Sequence, residues 1–294
     1  KAMINYQLKG MFNQHSLFKL NDDNIANNDN RNNFAQIILG NQESESLKYL
    51  LNVNHQRLSD FKSMLAYNES NYAALVNEHQ MLNEINDEDT RSLPKSDKKI
   101  KESFYNVLNH RKSTREFTSF EMASKELSTI LKFSFGIAPR KVEYGDIKTS
   151  TRFYASAGGL YPIDIYLYIN NVEDYDKGIY LYQPISHSLL KIVAQKDINT
   201  DDLLEGNNID IENCSFLVFF GYNFNSSFLK YGELALLNSL IEIGCMSHNF
   251  DLVITSLGYT GCPIAGFKKN NIEKLLELDH VNEHILFTNI CGKE

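Results

Sequence analysis

Several common sequence features are missing from this chain. Its four cysteines include no C-x-x-C pair, which excludes a disulfide-stapled scaffold and favours reduced thiols in a cytoplasmic protein. No apolar run approaches the ~20 residues that cross a bilayer, and no signal-like segment opens the chain, so we expect no membrane span. No G-x-G-x-x-G or G-x-x-x-x-G-K-[ST] motif occurs, which argues against a Rossmann or P-loop phosphate site. The formal net charge is -8 and the basic residues are scattered, so nucleic acid is not an expected partner.

The composition allows a sizeable core, but the two parts of the chain differ in character. Hydrophobic residues make up 43% of the 294 positions, whereas residues 1–97 are polar and rich in asparagine. Positions 21–33 contain ten Asn or Asp, which predicts a loop, and 47–64 and 72–85 have the apolar spacing of amphipathic helices. A charged segment around Pro94 is interpreted as a connector. We therefore expect an N-terminal helical region at 1–97 and a larger domain at 98–294.

The larger domain interleaves strand and helix patterns, which is typical of an α+β protein. The predicted helices are 104–110, 125–135 and 231–257, and the predicted strands are 164–170, 178–182, 187–193, 215–222 and 284–291. Positions 215–222 are continuously apolar, as expected of a central strand covered on both faces. The long, largely apolar helix 231–257 is predicted to lie in the core or at a dimer interface.

Three short segments carry residue types suited to ligand binding. Arg111–Phe117 combines three cations with two hydroxyls, and the planar donors of arginine suit a phosphate group; a solvated basic turn is the alternative. In Tyr154–Pro162, small residues let the backbone approach a flat ligand while Ser156 bonds to it, although an ordinary tight turn has the same composition. Cys262–Phe267 forms a further turn with backbone N–H groups. Cys245 and His248 share a helix face but are too few for a metal site.

These three segments, in this order, resemble the FMN-binding segments of the nitroreductase family of flavoproteins. The resemblance implies a nitroreductase-like fold: a central, mostly antiparallel sheet flanked by helices, with one long helix in the core or dimer interface. It also implies a homodimer with FMN at the subunit interface, where the third turn faces the N5 and O4 edge of the flavin. The FMN-binding residues it implies are Arg111, Lys112, Ser113, Arg115, Ser156, Ala157, Gly158, Leu160, Ala265 and Gly266.

A narrower resemblance is to azoline dehydrogenases of the SagB or McbC type. Its motifs are Ser156–Tyr166, the hairpin Gly178–Leu189, and Lys230–Tyr231 followed by Glu242 and Gly244. It implies oxidation of thiazolines and oxazolines to azoles on a ribosomally made precursor peptide, together with a cyclodehydratase. Oxygen is the expected final acceptor, and residues 1–97 are expected to serve docking or dimer packing. The chain departs from the pattern near Leu237, where an arginine is common, and at Lys268–Lys269, where acidic residues are common.

The candidate catalytic residues are Lys230 and Tyr231. Aromatising an azoline removes a hydride and a proton, and the proton needs a base. A nearby ammonium lowers the pKa of a phenol and desolvation lowers that of a lysine, so either residue of the pair is a candidate base. The alternative is a lysine at a helix start beside a tyrosine in the core.

Two other functions fit parts of the sequence. A nitro- or quinone reductase supplied by NAD(P)H would use the same FMN segments, but it explains neither the Lys-Tyr pair nor the long N-terminal region. A non-catalytic subunit of a biosynthetic complex would retain the fold and even the flavin.

Overall fold

The computed structural model describes residues 84–95, 100–144, 147–206 and 208–294, together with Tyr49. Apart from Tyr49 these residues lie in the second of two units into which the chain divides, Leu58–Glu294. The predicted loop 21–33 lies outside the described residues. The predicted helices 47–64 and 72–85 also lie outside them, except for Tyr49 and the last two residues of the second helix.

The described chain forms a seven-stranded sheet, a separate hairpin and five helices. The strands are β1 (Thr90–Ser92), β2 (Ile137–Tyr144), β3 (Ile147–Arg152), β4 (Ile163–Ile169), β5 (Gly178–Gln183), β6 (Ser188–Ala194), β7 (Phe216–Asn223), β8 (Thr260–Ile264) and β9 (Glu283–Gly292). The helices are α1 (Phe104–His110), α2 (Ser124–Phe135), α3 (Phe224–Tyr231), α4 (Leu234–Ser256) and α5 (Lys269–Leu275). The sheet order is β1-β6-β5-β4-β7-β9-β8, and every neighbouring pair is antiparallel. The predicted α+β class with a mostly antiparallel sheet is confirmed.

Strand β7 shows why the sheet is covered on both faces. Alternate residues of a strand point to opposite faces, and here Phe216, Val218 and Phe220 enter one apolar cluster while Leu217 and Phe219 enter another. The continuous apolar run therefore supplies two cores at once, which confirms the predicted central strand.

Helix α4 covers the first of these cores. Its Phe250 ring stacks on Phe135 of α2 at 5.7 Å between centroids and meets Phe216 of β7 edge-on at 5.9 Å. Helix α4 is thus long and apolar because it spans the sheet face.

Within the described chain, no helix combines the length and the apolar character needed to cross a membrane.

The long helix predicted at 231–257 is α4, but it begins at Leu234 and Tyr231 belongs to α3, so the predicted N-terminal end was wrong. Gly232, with a φ of 51°, follows the last residue of α3, and α4 begins at Leu234. A positive φ is readily adopted by glycine and ends a helix. Lys230 and Tyr231 therefore lie at the end of a short helix rather than at the start of the long one.

The charged segment interpreted as a connector instead contributes the edge strand β1. Its three residues pair with Ser188–Leu190 of β6. Buried Gln183 of β5 binds the backbone of Ile85 at both N–H and C=O, the latter at 2.8 Å. The Glu84 carboxylate accepts from the N–H groups of Ile185 and Ser186, each at 2.7 Å. Residues 84–95 are thus built into the sheet by contacts with residues that lie about a hundred positions away in the chain.

Replacing Gln183 with alanine is expected to release this edge. Loss of the amide removes the acceptor of the Ile85 N–H and one of the two donors to its C=O, the other being the Thr90 hydroxyl. Each lost hydrogen bond should cost about 1 kcal/mol. Local opening of residues 84–95 should then raise the rate of tryptic cleavage at Arg91 about fivefold or more. Limited proteolysis followed by mass spectrometry measures this rate. The exposed Gln195 provides a matched control, since Gln195→Ala removes an amide outside this edge. Equal rates of cleavage at Arg91 in the two variants would show that Gln183 does not hold residues 84–95 against the sheet.

Candidate active site

The segment Arg111–Arg115 runs along the edge strand β8. Helix α1 ends with Arg111 as its C-terminal cap, and Ser113 then pairs with Gly261 as a single parallel bridge. The Thr114 N–H donates to the Gly261 carbonyl at 2.9 Å, and the hydroxyls of Thr114 and Thr260 lie 2.6 Å apart. The predicted phosphate-binding segment is therefore fixed to the sheet rather than free in solvent.

The two arginines of this segment lie at the corner between α4 and β8. Burial raises the pKa of Asp251 on α4, and the charge of Arg111 opposes that rise. Burial likewise raises the pKa of the Cys262 thiol on β8, and Arg115 opposes it. Lys112 lies elsewhere, in an exposed ion pair with Glu294. Arg111 and Arg115 thus set the positive charge at this corner.

The third predicted segment, Cys262–Phe267, begins within β8 and continues beyond the end of that strand. Ala265 and Gly266 are exposed just after β8 ends, and the Gly266 carbonyl accepts from the Glu205 N–H at 2.8 Å. Since Ser113 pairs with Gly261 on that strand, the structure brings the first and third predicted segments to one sheet edge.

Lys268 and Lys269, which depart from the azoline dehydrogenase pattern, form bonds within the fold. Lys268 Nζ donates to the Asp201 carbonyl at 2.7 Å. Lys269 pairs with the buried carboxylate of Glu273, which also accepts from the Ile285 N–H at 2.8 Å. These bonds attach α5 to its neighbouring segments and explain both lysines without a ligand.

The second predicted segment meets the Lys-Tyr pair. Ala157–Gly159 forms a 3-10 turn in which Gly158 has a φ of 61°. A Cβ atom at Gly158 would lie 2.6 Å from Lys230 Nζ and would also collide with Tyr231 Oη. Lys230 Nζ lies 5.5 Å from the centroid of the Tyr231 ring. The ammonium and the phenol therefore converge on a position that only glycine can occupy without displacing them.

Ser156 and Leu160 fix the two ends of this turn. The Ser156 hydroxyl donates to Glu242 Oε2 of α4 at 2.6 Å and accepts from the Tyr161 N–H at 2.9 Å. The Leu160 side chain is buried in the core, so this residue can offer only its backbone to a ligand. The turn is thus anchored by one buried hydroxyl and one buried apolar side chain.

A buried ionic network behind the turn escaped the sequence analysis. Burial raises the pKa of Glu242 to about 7, while Ser156 and Arg152 oppose the rise. Arg152, itself buried, donates to Tyr154 Oη at 2.8 Å and lies 4.8 Å from the Tyr161 ring centroid. The sequence offered one signal, the offset of Glu242 from Lys230, and no signal for Arg152.

Helix α4 holds both parts of the candidate site. Glu242 contacts the Ser156 turn and Asp251 faces Arg111, and nine residues of helix separate these positions by ~13 Å. Among the described residues, no cluster of three His, Cys, Asp or Glu side chains is placed to bind a metal ion. The arrangement offers a cationic corner, a small-residue turn and an adjacent amine and phenol.

Comparison with known proteins places the chain in a family. The model of the Nitroreductase family matches residues 108–293. MJ1384 of Methanocaldococcus jannaschii, which is named as a nitroreductase, is 27% identical over 172 residues, covering 58% of this chain and 83% of that protein. The microcin B17-processing protein McbC of Escherichia coli is 28% identical over 136 residues, covering 44% of this chain and 49% of McbC.

Solved structures share the fold at low sequence identity. A protein from Ralstonia eutropha JMP134, described as a nitroreductase, superposes with a TM-score of 0.56 and 22% identity, covering 70% of this chain and 90% of that one. A chain of the E. coli microcin synthetase McbBCD complex, crystallised with truncated pro-MccB17, superposes with a TM-score of 0.51 and 19% identity. That alignment covers 82% of this chain and 99% of the other.

Two neighbouring glycines allow the convergence on Gly158 to be tested. Gly158 and Gly159 both have positive φ, but a Cβ at Gly159 would meet no atom within 4 Å. Alanine at either position should therefore cost about 1 kcal/mol of backbone strain. Gly158→Ala alone should displace Lys230 and change its rate of acylation severalfold relative to exposed Lys196. Peptide-mapped mass spectrometry measures both lysines in one sample. The same change in Gly159→Ala would show that strain, and not contact, is responsible.

Proposed function

The chain belongs to the nitroreductase family, which implies an oxidoreductase with a flavin cofactor, and we propose from this that it is an FMN-dependent azoline dehydrogenase. Its substrates would be thiazolines and oxazolines in a ribosomally made precursor peptide, and its products thiazoles and oxazoles. One observation carries the proposal: Lys230 Nζ and Tyr231 Oη converge on Gly158 in the small-residue turn. We propose that this amine and phenol accept the proton beside a surface suited to a flat ligand.

The residues present fit FMN by their chemistry. Arginine donors suit a phosphate monoester, and Arg111, Ser113 and Arg115 lie together on the segment beside β8. Lys112, the fourth predicted phosphate ligand, would have to leave its exposed pair with Glu294. Beside Gly159, where a Cβ would meet no atom within 4 Å, the turn leaves open space for a planar ring. The other proposed contacts to the ring system are Ser156, Ala157, Leu160, Ala265 and Gly266.

The chemistry divides between the cofactor and the protein. When bound, FMN supplies the acceptor for the hydride. The protein must remove the proton that leaves the azoline ring, and we assign this step to Lys230 and Tyr231. Lys230 Nζ lies 5.5 Å from the centroid of the Tyr231 ring, so the two candidate bases lie side by side. Both assignments of the base are retained.

Similarity to McbC supports a peptide substrate and protein partners. The relative is a microcin-processing protein, and the McbBCD complex was crystallised with a truncated pro-peptide. We propose that this chain also acts on a precursor peptide, in a complex with a cyclodehydratase, and that residues 1–97 serve docking or dimer packing.

An exposed apolar surface supports a homodimer. Leu240 and Ile241 of α4 are 44% and 59% exposed, and on neighbouring α1 Phe104, Tyr105 and Leu108 are 67%, 76% and 51% exposed. Large exposed apolar patches mark interaction sites. The long helix would thus form the core of the interface, with FMN bound where two subunits meet.

Ile241→Asp should convert the dimer to a monomer and release FMN. A carboxylate in the centre of an apolar interface costs several kcal/mol when it has no partner, enough to raise the dimer dissociation constant by about a thousandfold. Sedimentation velocity, together with the flavin absorbance of the sedimenting species, measures both effects. Ile192→Asp is the matched control, because Ile192 is also exposed, at 40%, but lies on β6. A dimer that persists in Ile241→Asp would exclude this face.

The decisive test is azole formation on a cyclodehydrated precursor peptide. The purified protein should show a flavin absorbance spectrum and release a chromophore with the mass of FMN. Lys230→Ala or Tyr231→Phe should retain FMN and lose azole formation by about a hundredfold or more, the usual size of a general-base effect. Lys196→Ala, at an exposed site, should retain full activity.

The alternatives give different outcomes in the same assays. Rapid reduction of a nitroaromatic by NADPH without azole formation would indicate a nitro- or quinone reductase. A flavin that no substrate bleaches, in a protein that the partner enzymes nevertheless require, would indicate a structural subunit. Unchanged turnover of both variants would remove Lys230 and Tyr231 from the mechanism.

A further inference from the structure

A buried carboxylate lies directly behind the proposed catalytic turn. Glu242 is 3% exposed, and its Oε2 atom accepts the hydroxyl of Ser156. Its Oε1 atom is buried and accepts no hydrogen bond within the part of the chain that the structure describes. The Ala157 N–H lies close enough to oppose the rise in the pKa of Glu242 that burial causes. Buried carboxylates are expensive unless paired, so its position on α4 calls for an explanation.

The Glu242 carboxylate is connected to Lys230 and Tyr231 through Ser156 and the turn that follows it. Ser156 uses its one proton to bond Glu242, and the same oxygen accepts from the Tyr161 N–H. These two bonds span the turn that contains Gly158, against which the Lys230 and Tyr231 head groups pack. Any change in the bond between Glu242 and Ser156 therefore acts on the surface that positions the amine and the phenol.

The charged and titratable groups around Glu242 come from three directions. Arg152 lies at the end of β3, and Tyr154 and Tyr161 lie on the two sides of the turn; each has a pKa that Glu242 shifts. On α4 itself, one turn earlier, lies the buried hydroxyl of Ser239, which has no partner among the described residues. Arg152 is the one cation among these groups.

We propose that Glu242 is a positioning residue whose ionised carboxylate holds the 156–161 turn, and with it Lys230 and Tyr231, in the reactive arrangement. For its catalytic meaning this inference rests on the proposed function. A hydrogen bond to a carboxylate is stronger than one to a neutral acid. Protonation also converts one acceptor oxygen into a donor, for which the described residues offer no acceptor at Oε1. Ionisation should therefore tighten the turn and protonation should loosen it.

The transition should fall near neutral pH. Burial raises the pKa of Glu242 to about 7, so the carboxylate form prevails above that pH and the neutral acid below it. Lys230 should accordingly become less accessible as the pH rises through neutrality, relative to an exposed lysine.

The test is the ratio of acylation rates of Lys230 and exposed Lys196 in the full-length protein, measured from about pH 6 to about pH 8. In the wild type the ratio should fall severalfold across this range. Glu242→Gln, which cannot ionise, should give a ratio that does not change with pH and stays near the low-pH value. Glu242→Asp should restore part of the fall in the ratio with rising pH, since it restores a carboxylate. Ser239→Ala, which removes a nearby hydroxyl on the same helix that bonds to none of the described residues, should retain the full pH-dependent change.

The outcomes separate this inference from the proposed function. A flat ratio in the wild type, or an unchanged step in Glu242→Gln, would overturn the positioning role. Because the acylation assay needs neither FMN nor peptide, its result stands even if no azole is formed. If the protein does form azoles, kcat should rise through the same pH range in the wild type and Ser239→Ala but not in Glu242→Gln. A step in acylation without any azole formation would reject the proposed activity alone.

Discussion

The packing of α4 across one face of the sheet is the interaction on which the rest of this structure depends. Its apolar side completes the larger core through Phe250. Its polar residues reach outward along the same helix: Asn249 donates to the backbone of Phe133 and Ser134 at the end of α2, at 2.9 and 3.0 Å. Glu242 and Asp251 then face the two parts of the candidate site. A shift of this helix would therefore disturb the core and the site together.

Much of the fold could be predicted because its strongest elements follow from local hydrophobic pattern. The doubly covered strand β7 and the long helix α4 are both recognisable from their apolar residues alone, and they are the elements that pack together. The elements that escaped prediction depend on distant partners. Strand β1 has no apolar alternation and exists because β6 supplies its hydrogen bonds, while Gln183 binds Ile85 just before it. The hairpin β2–β3 and the helix break at Gly232 were missed for similar reasons, since neither has a strong periodic signal.

The same distinction holds within the candidate site. Lys230, Tyr231 and the 156–160 turn were singled out from sequence motifs, and the structure brings these segments into contact. What the sequence could not predict is the buried arginine behind them, Arg152. An arginine between a threonine and a phenylalanine does not signal burial, and the contact of Arg152 with Tyr154 and Tyr161 depends on the bend of the chain after β3. Lys112 shows the opposite case, because it shares a motif with Arg111 and Arg115 but pairs with Glu294.

The construction of the sheet edge also bears on where this protein can be divided. A fragment starting at residue 98, the apparent start of the larger domain in the sequence, would lack β1, Ile85 that Gln183 binds, and Glu84 that binds Ile185 and Ser186. Strand β6 would then present unpaired backbone groups along its outer side, and open edges of this kind pair with other chains and aggregate. Such a fragment would retain every proposed FMN ligand and still be prone to self-association. A shortened form of this protein should therefore begin before Glu84.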